Sequence, residues 1–397
     1  MHTIKKELQL NEEYGANNYK PLPVALSKGE GVWVWDTEGN KYVDMLAAYS
    51  SLNQGHCHPK IIAALKEQAD RLTISSRAFH NDKMGCFLKK LSAITGFEKA
   101  LLMNTGAEAV ETALKAVRKK AYLERGITDG EIIACTQNFH GRTITVVSFS
   151  SEPQYREGFG PFTPGFKVAE YGDIKHMESL ITSKTIAVIL EPIQGEAGVI
   201  VPPQGYLKAV RELCDKHNLV MILDEIQTGF GRTGKLFAFE YENISPDIVV
   251  VAKAMGGGVY PVSAMLSNSQ IMSVFNPGDH GSTFGGNPLG AAVGYAALEV
   301  IEEEKLVERS FELGEYFMGL LSTLKSDAVK EIRGKGLMIG LEIKEEHGLA
   351  RTYCEALMQK GLLCKETHKQ TIRFTPPLVI TKEELDMAFE KIKEVIC

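Results

Sequence analysis

Five short apolar runs limit what this chain can fold into. They are "EIIAC" (131–135), "IAVIL" (186–190), "LVMIL" (219–223), "DIVVVA" (247–252) and "VSAML" (262–266). None alternates apolar with polar residues, so none offers a face to water. Unbroken runs of this length suit strands covered on both faces, as in a parallel sheet. Between two of them, "YLKAVRELCDKHN" carries a helical pattern. Strands alternating with helices predict an open α/β sheet.

Three of the runs end in charge. "IAVILEP" ends at Glu191, "LVMILDE" at Asp224 and Glu225, and "DIVVVAK" at Lys253. One such charge would only mark where a strand surfaces. Three on one sheet predict a site, because open parallel sheets bind ligands beyond the carboxyl ends of their strands. Lys253 either escapes to solvent or belongs to chemistry that wants an amine in a dry place. A free lysine at its reference pKa of about 10.4 is protonated and not nucleophilic; burial or imine formation lowers that value. A carbonyl cofactor such as pyridoxal phosphate needs a lysine, a carboxylate for its ring nitrogen, an aromatic face and backbone amides for its phosphate. The chain offers Lys253, Asp224, Phe139 in "QNFHGRT", and the "NTGAEA" turn (104–109) at a helix start. The glycines of "AMGGG" are expected to let the backbone pass close to such a ligand.

Other chemistries fit less well. "GFGRTG" (229–234) matches GxGxxG, but "DEIQT" separates it from its strand and no helical stripe follows. "GHCHP" (55–59) looks metal-like but lacks companion ligands at zinc-site spacing. There is no GxxxxGK[ST] and no GxSxG. A net charge of −6 without a basic tract argues against a nucleic-acid partner. "MHTIKKELQLNEEYG" has no apolar core of a secretory leader, and no apolar stretch is long enough to span a membrane. The seven scattered cysteines, without a CxxC pair, predict reduced thiols and a cytoplasmic location.

At 397 residues the chain is long enough for a large α/β unit with a satellite. "GVWVWDTEGNKYVDML" (31–46) reads as a hairpin. "HPKIIAALKEQADRL" reads as a helix with Ile61, Leu65 and Leu72 on one face. A helix from "TGAEAVETALKAVRKKAYLE" carries Val110, Leu114, Val117 and Ala121. After Pro288 come a long helical region (about 289–325), strand-like "GLMIGLEI" and "TIRFTPPLVI", and a last helix opened by a Thr381/Glu384 capping box. The expected division is an N-terminal segment (1–49) packing with a small domain, a large domain (50–289), and that small α+β domain (290–397). "SSEPQYREGFGPFTPGFK" (150–167) lacks periodicity and reads as a functional or interface loop.

These motifs together resemble the class-III, fold-type-I pyridoxal-phosphate aminotransferases. "NTGAEA", "FHGRT", "EPIQGEAG", "LDEIQTGFGRTG", "AKAMGGGVYPVSA" and "HGSTFGGNPLG" occur in family order, and the likeness covers nearly the whole chain. The resemblance implies an α/β fold with a mostly parallel seven-stranded sheet between helices, plus a small α+β domain. It implies that Lys253 bonds the cofactor and later moves a proton, and that Asp224 pairs with its ring nitrogen. Gln227 would meet the ring oxygen, and Phe139 would stack on the ring. Gly106 and Ala107 would bind the phosphate, with Thr283 from a second subunit, so the implied unit is a homodimer or a higher even oligomer.

Within the family, "EYGANNYKPLPVAL", "AAYSSLNQGHCHPKI" and "RFTPPLVI" are similar to the branch acting on ornithine. That branch moves the δ-amino group of L-ornithine to 2-oxoglutarate. Its products are glutamate and glutamate 5-semialdehyde, which cyclises to pyrroline-5-carboxylate; the half-reactions alternate through the pyridoxamine form. Tyr19 and Arg142 would then hold the far end of ornithine, and Tyr49 would shape its pocket. Arg373 would bind an ordinary α-carboxylate, with Glu196 masking it until 2-oxoglutarate arrives; Arg142 would then take the distal carboxylate. His140 stands where several ornithine enzymes carry a larger aromatic and acetylornithine relatives carry histidine. An acetylornithine or other ω-amino substrate is the alternative.

Overall fold

The chain is described by a computed structural model over residues 3–397. Met1 and His2, the head of the expected N-terminal segment, lie outside the described residues.

The hairpin forms where the alternating pattern places it. Strands β1 (Leu26–Glu30), β2 (Trp33–Asp36) and β3 (Lys41–Asp44) run antiparallel in sequence order. Asp36 closes the β2–β3 turn: its carboxylate accepts the N–H groups of Glu38 and Asn40, both at 2.9 Å.

Seven strands make the large sheet: β4 (Lys99–Met103), β5 (Glu131–Cys135), β6 (Phe166–Ala169), β7 (Thr185–Leu190), β8 (Val220–Asp224), β9 (Ile248–Val251) and β10 (Ser263–Ser267). Their order is β4-β10-β9-β8-β7-β5-β6, and β6, β5, β7, β8 and β9 are parallel. The apolar runs are buried on both faces. In β5, Ile133 and Cys135 enter one core and Ile132 and Ala134 the other; β8 divides Met221 and Leu223 from Val220 and Ile222 in the same way. The helix Gly106–Arg125 covers one face with Val110, Leu114 and Val117. The helices Tyr206–His217 and Pro288–Glu303 cover the other.

Several expectations need correction. "VSAML" is not a parallel strand: β10 runs antiparallel to both β9 and β4. Only residues 252–262 join β9 to β10, too few for the crossover that a parallel return needs. β4 and β6 escaped the pattern because β4 begins at an exposed lysine and β6 is a four-residue edge strand. β6 also takes up the end of the aperiodic segment 150–167. Leu72 lies beyond the helix Pro59–Ala69 and is exposed. The long helical region breaks at Lys305 into Pro288–Glu303 and Leu306–Leu321.

The C-terminal region adds β11 (Val329–Lys335), β12 (Met338–Ile343), β13 (Leu362–Leu363), β14 (Lys365–Thr367) and β15 (Thr371–Phe374). β11, β12, β15 and β14 form an antiparallel sheet in that order. "TIRFTPPLVI" is a strand only as far as Phe374, before two prolines remove ladder donors. β13 pairs in parallel with β3, so the N-terminal hairpin and the C-terminal region share a sheet. The helix Lys382–Ile396 closes the chain with its Thr381/Glu384 capping box and buries Leu385, Ala388, Phe389 and Ile392.

"GFGRTG" serves this assembly. Arg232 is fully buried and donates to the carbonyls of Leu337 (3.0 Å) and Pro376 (2.6 Å) and to Asn53 Oδ1 (2.5 Å). It fastens the turn after β8 to one end of the C-terminal sheet, where β12 begins and β15 finishes, and burial pulls its guanidinium pKa down to about 9. Among the described residues, no helix is long and apolar enough to cross a membrane.

The break at Lys305 carries a measurable cost. Lys305 has a φ of 51° and an exposed side chain. Lys305→Gly should therefore raise the unfolding free energy by about 1 kcal/mol, read from urea melts; a loss of stability would contradict this account of the break.

Candidate active site

The carboxyl ends of the strands open onto a cavity of about 470 Å³. Lys253, Asp224, Gln227, Glu196, Phe139, Gly106 and Ala107 all line it. They come from different strand ends. Lys253 follows β9, Asp224 ends β8, Gln227 lies in the turn after it, and Glu196 lies in the loop after β7. Phe139 follows β5, and Gly106 begins the helix after β4.

Lys253 sits where the chain turns sharply. Its φ is 46°, in the left-handed region that side chains disfavour, and it opens a short 3-10 turn. Its amine makes no hydrogen bond or ion pair among the described residues. Burial holds its amine below the usual lysine range, against the opposing charges of Glu196 and Asp224. The glycines behind it serve packing rather than the cavity alone: a Cβ on Gly258 would stand 2.2 Å from Leu52.

Asp224 is 4% exposed and doubly anchored. Its Oδ1 accepts the N–H of Ile226 at 3.0 Å, and its Oδ2 accepts from His140 Nδ1 at 2.7 Å. Burial alone would lower the His140 pKa, but the Asp224 hydrogen bond and charge outweigh it and raise it. His140 is the partner that sequence reasoning missed, although it directly follows Phe139 in "FHGRT". Glu191, beside them, accepts the N–H of Phe139 at 3.0 Å; burial pushes its carboxyl up to about 7.

The helix Gly106–Arg125 points its N-terminus into the cavity. Thr105 and Glu108 form a capping box that occupies the N–H groups of Thr105 and Glu108. The N–H groups of Gly106 and Ala107 have no acceptor among the described residues. A helix start with free amides attracts an anion such as a phosphate.

An ion pair between a buried arginine and a partly buried glutamate borders this floor. Arg373, on β15 and 1% exposed, donates from Nη1 to Glu196 Oε1 at 2.6 Å. Burial would raise the Glu196 pKa, but Arg373 and Lys253 hold it below the usual carboxylate range. Gln227 Nε2 also donates to Glu196 Oε1 (3.3 Å) and to the Tyr49 carbonyl (3.4 Å). Gln227 fits only because residue 195 is glycine, where a Cβ would lie 1.3 Å from Gln227 Oε1. The Tyr49 ring lies under the Arg373 guanidinium, 5.0 Å from its carbon.

The remaining expected residues lie further out. Arg142 is exposed; its guanidinium carbon stands 4.2 Å from the Tyr155 ring centre and 5.4 Å from that of Phe139. Tyr155 belongs to the aperiodic segment, which gave no signal for it. Tyr19 is 70% exposed, outside the cavity, in the loop before β1. Thr283 is exposed and does not line the cavity of its own chain.

Known proteins show the same plan. The family described as Aminotransferase class-III matches residues 14–396. An ornithine aminotransferase of Brevibacillus brevis is 59% identical over 391 residues, covering 98% of this chain and 97% of that protein. An ornithine aminotransferase structure from Toxoplasma gondii, with PLP partially occupying its active site, superposes with a TM-score of 0.97; it is 44% identical, covering 99% of this chain and 94% of that one. An acetylornithine aminotransferase structure from Elizabethkingia anophelis gives a TM-score of 0.90 at 46% identity, covering 100% and 99%.

The His140–Asp224 pair sets the sign of one pH effect. A raised histidine pKa stabilises the fold fully below the unfolded value of about 6.5 and is lost as pH rises through the folded value. His140→Asn should therefore lower Tm more at about pH 6 than at about pH 9. Equal losses in calorimetric scans at the two values would contradict the charged pair.

Proposed function

The chain belongs to the class-III aminotransferase family, and on that premise we propose that it transfers the δ-amino group of L-ornithine to 2-oxoglutarate with pyridoxal 5'-phosphate as cofactor. The products are glutamate and glutamate 5-semialdehyde, which cyclises to pyrroline-5-carboxylate. The observation that carries the reading is the pair of buried Arg373 with Glu196 beside Lys253. An arginine placed for an α-carboxylate is already neutralised, which disfavours ordinary α-amino donors and leaves room for a terminal amine.

The residues present fit the cofactor. An unpartnered lysine, an anchored carboxylate, an aromatic ring and a helix start with free amides line one cavity. When bound, the cofactor supplies a carbonyl to receive the amine and a ring to draw electrons from the carbon being deprotonated. Gly106 and Ala107 would hold its phosphate, Phe139 its ring face and Gln227 its ring oxygen. Asp224 would face the ring nitrogen, with the His140 Nδ1 proton fixing the other carboxylate oxygen. Lys253 Nζ is the group that takes the substrate proton and returns it, a task helped by its lowered pKa.

Both substrates use the same arginines differently. Tyr19, Tyr49 and Arg142 would hold the far end of ornithine while Glu196 masks Arg373. For 2-oxoglutarate, Glu196 would turn away, Arg373 would bind the α-carboxylate, and Arg142 the distal one. Arginine suits both tasks because its planar fork matches a carboxylate. The proposed unit is a homodimer: Thr283 lies outside its own cavity and would reach a phosphate only in a second copy. The proposed setting is the cytoplasm, where its seven free thiols stay reduced.

A second reading, an acetylornithine aminotransferase, is favoured by His140 and by the 46% identity to the Elizabethkingia anophelis structure. Steady-state rates with L-ornithine, N-acetylornithine and 4-aminobutyrate separate the two. Ornithine should lead in kcat/KM by at least about tenfold; ornithine ranking last would overturn the proposal.

A further inference from the structure

The residues that present Tyr49 are held in a conformation that L residues avoid. Ala47, Ala48, Tyr49 and Ser50 have φ of 49°, 46°, 60° and 72°. They make a left-handed turn without a glycine. Side chains disfavour that region, and four such residues in a row persist only where the surroundings over-determine them.

Asp44, at the end of β3, supplies much of that constraint. Its Oδ1 accepts the N–H groups of Leu46 (2.8 Å) and Ala47 (2.9 Å). Its Oδ2 accepts from His56 Nε2 at 2.8 Å. His56 is fixed in turn. Its N–H donates to the Gly31 carbonyl at 2.7 Å, and its own carbonyl accepts from Gly31 at 3.1 Å. Its ring fills the space over Gly29, where a Cβ would stand 2.7 Å from Nδ1 and 2.9 Å from the Cβ of His56. From the other side, the Thr375 hydroxyl donates to the Leu46 carbonyl at 2.9 Å.

The turn delivers two contacts into the site. The Tyr49 carbonyl accepts from Gln227, and its ring lies under Arg373. The first histidine of "GHCHP", His56, therefore has a partner and a task, and no metal-binding cluster occurs among the described residues. We propose that Asp44 and His56 are positioning residues for substrate selection. They hold the left-handed turn that sets Tyr49 against Arg373, and so set the preference for a terminal amine over an α-amine. This rests on the ornithine reading above.

The test compares holoenzyme variants His56→Leu, His56→Gln and Gly29→Ala with wild type. One readout is amide hydrogen exchange across residues 45–52, followed by mass spectrometry. The other is the ratio of kcat/KM for L-ornithine to that for L-glutamate. His56→Leu and Gly29→Ala should speed exchange and lower the ratio about tenfold, the scale of one buried charged hydrogen bond. His56→Gln keeps an N–H for Asp44 and should retain most of the ratio. Gly29→Ala sits on the outlying strand β1, away from the cavity, and carries the test if His56→Leu does not fold. Faster exchange with an unchanged ratio, or unchanged exchange in both variants, overturns the inference. A wild type without preference for ornithine overturns the functional reading instead, and exchange alone then decides whether the pair holds the turn.

Discussion

The pairing of buried Arg373 with Glu196 is the constraint around which the site is arranged. It joins β15 of the C-terminal sheet to the loop after β7 of the large sheet. Removing Glu196 alone would leave the Arg373 charge buried and unpaired, at a cost of up to roughly 3–5 kcal/mol. Exchanging one carboxylate for another avoids that cost. A substrate carboxylate can therefore displace Glu196 without leaving the guanidinium unpaired, and a substrate lacking one there leaves the pair closed. The same interaction that ties two sheets together can thus sort two substrates.

The other buried charges fall into two groups. Asp224 has a partner for each oxygen, His140 for one and the Ile226 amide for the other. Glu191 and Glu225 lack a cation of their own, and burial pushes each up to about 7. Arg232 donates to carbonyls and an amide oxygen, as befits a structural fastener. Lys253 is the exception in having an enclosed amine and no hydrogen-bond partner, which is the state a group needs if its bond is to be made with a ligand.

Much of this was legible in the sequence because the chemistry follows the strand ends. Charges after unbroken apolar runs pointed to Lys253 and Asp224, and the fold brings both to one cavity. The antiparallel turn of β10 was hidden because an apolar run carries no direction; only the short connection to β9 does. β4 was hidden by its exposed start and β6 by its partly exposed place at the sheet edge. His140 and Tyr155 were hidden for another reason: their roles depend on neighbours far along the chain, Asp224 and Arg142. The left-handed turn at Tyr49 had no signal at all, since glycine, the usual marker of that conformation, is absent.

The account stands on Glu196 acting as a removable partner for Arg373, and one measurement addresses that directly. In Glu196→Gln the side chain keeps its size and an oxygen for Arg373 but loses its charge. The ratio of kcat/KM for L-ornithine to that for L-glutamate should then fall about tenfold or more, with glutamate gaining as Arg373 is unmasked. A ratio equal to that of the wild type would contradict the account.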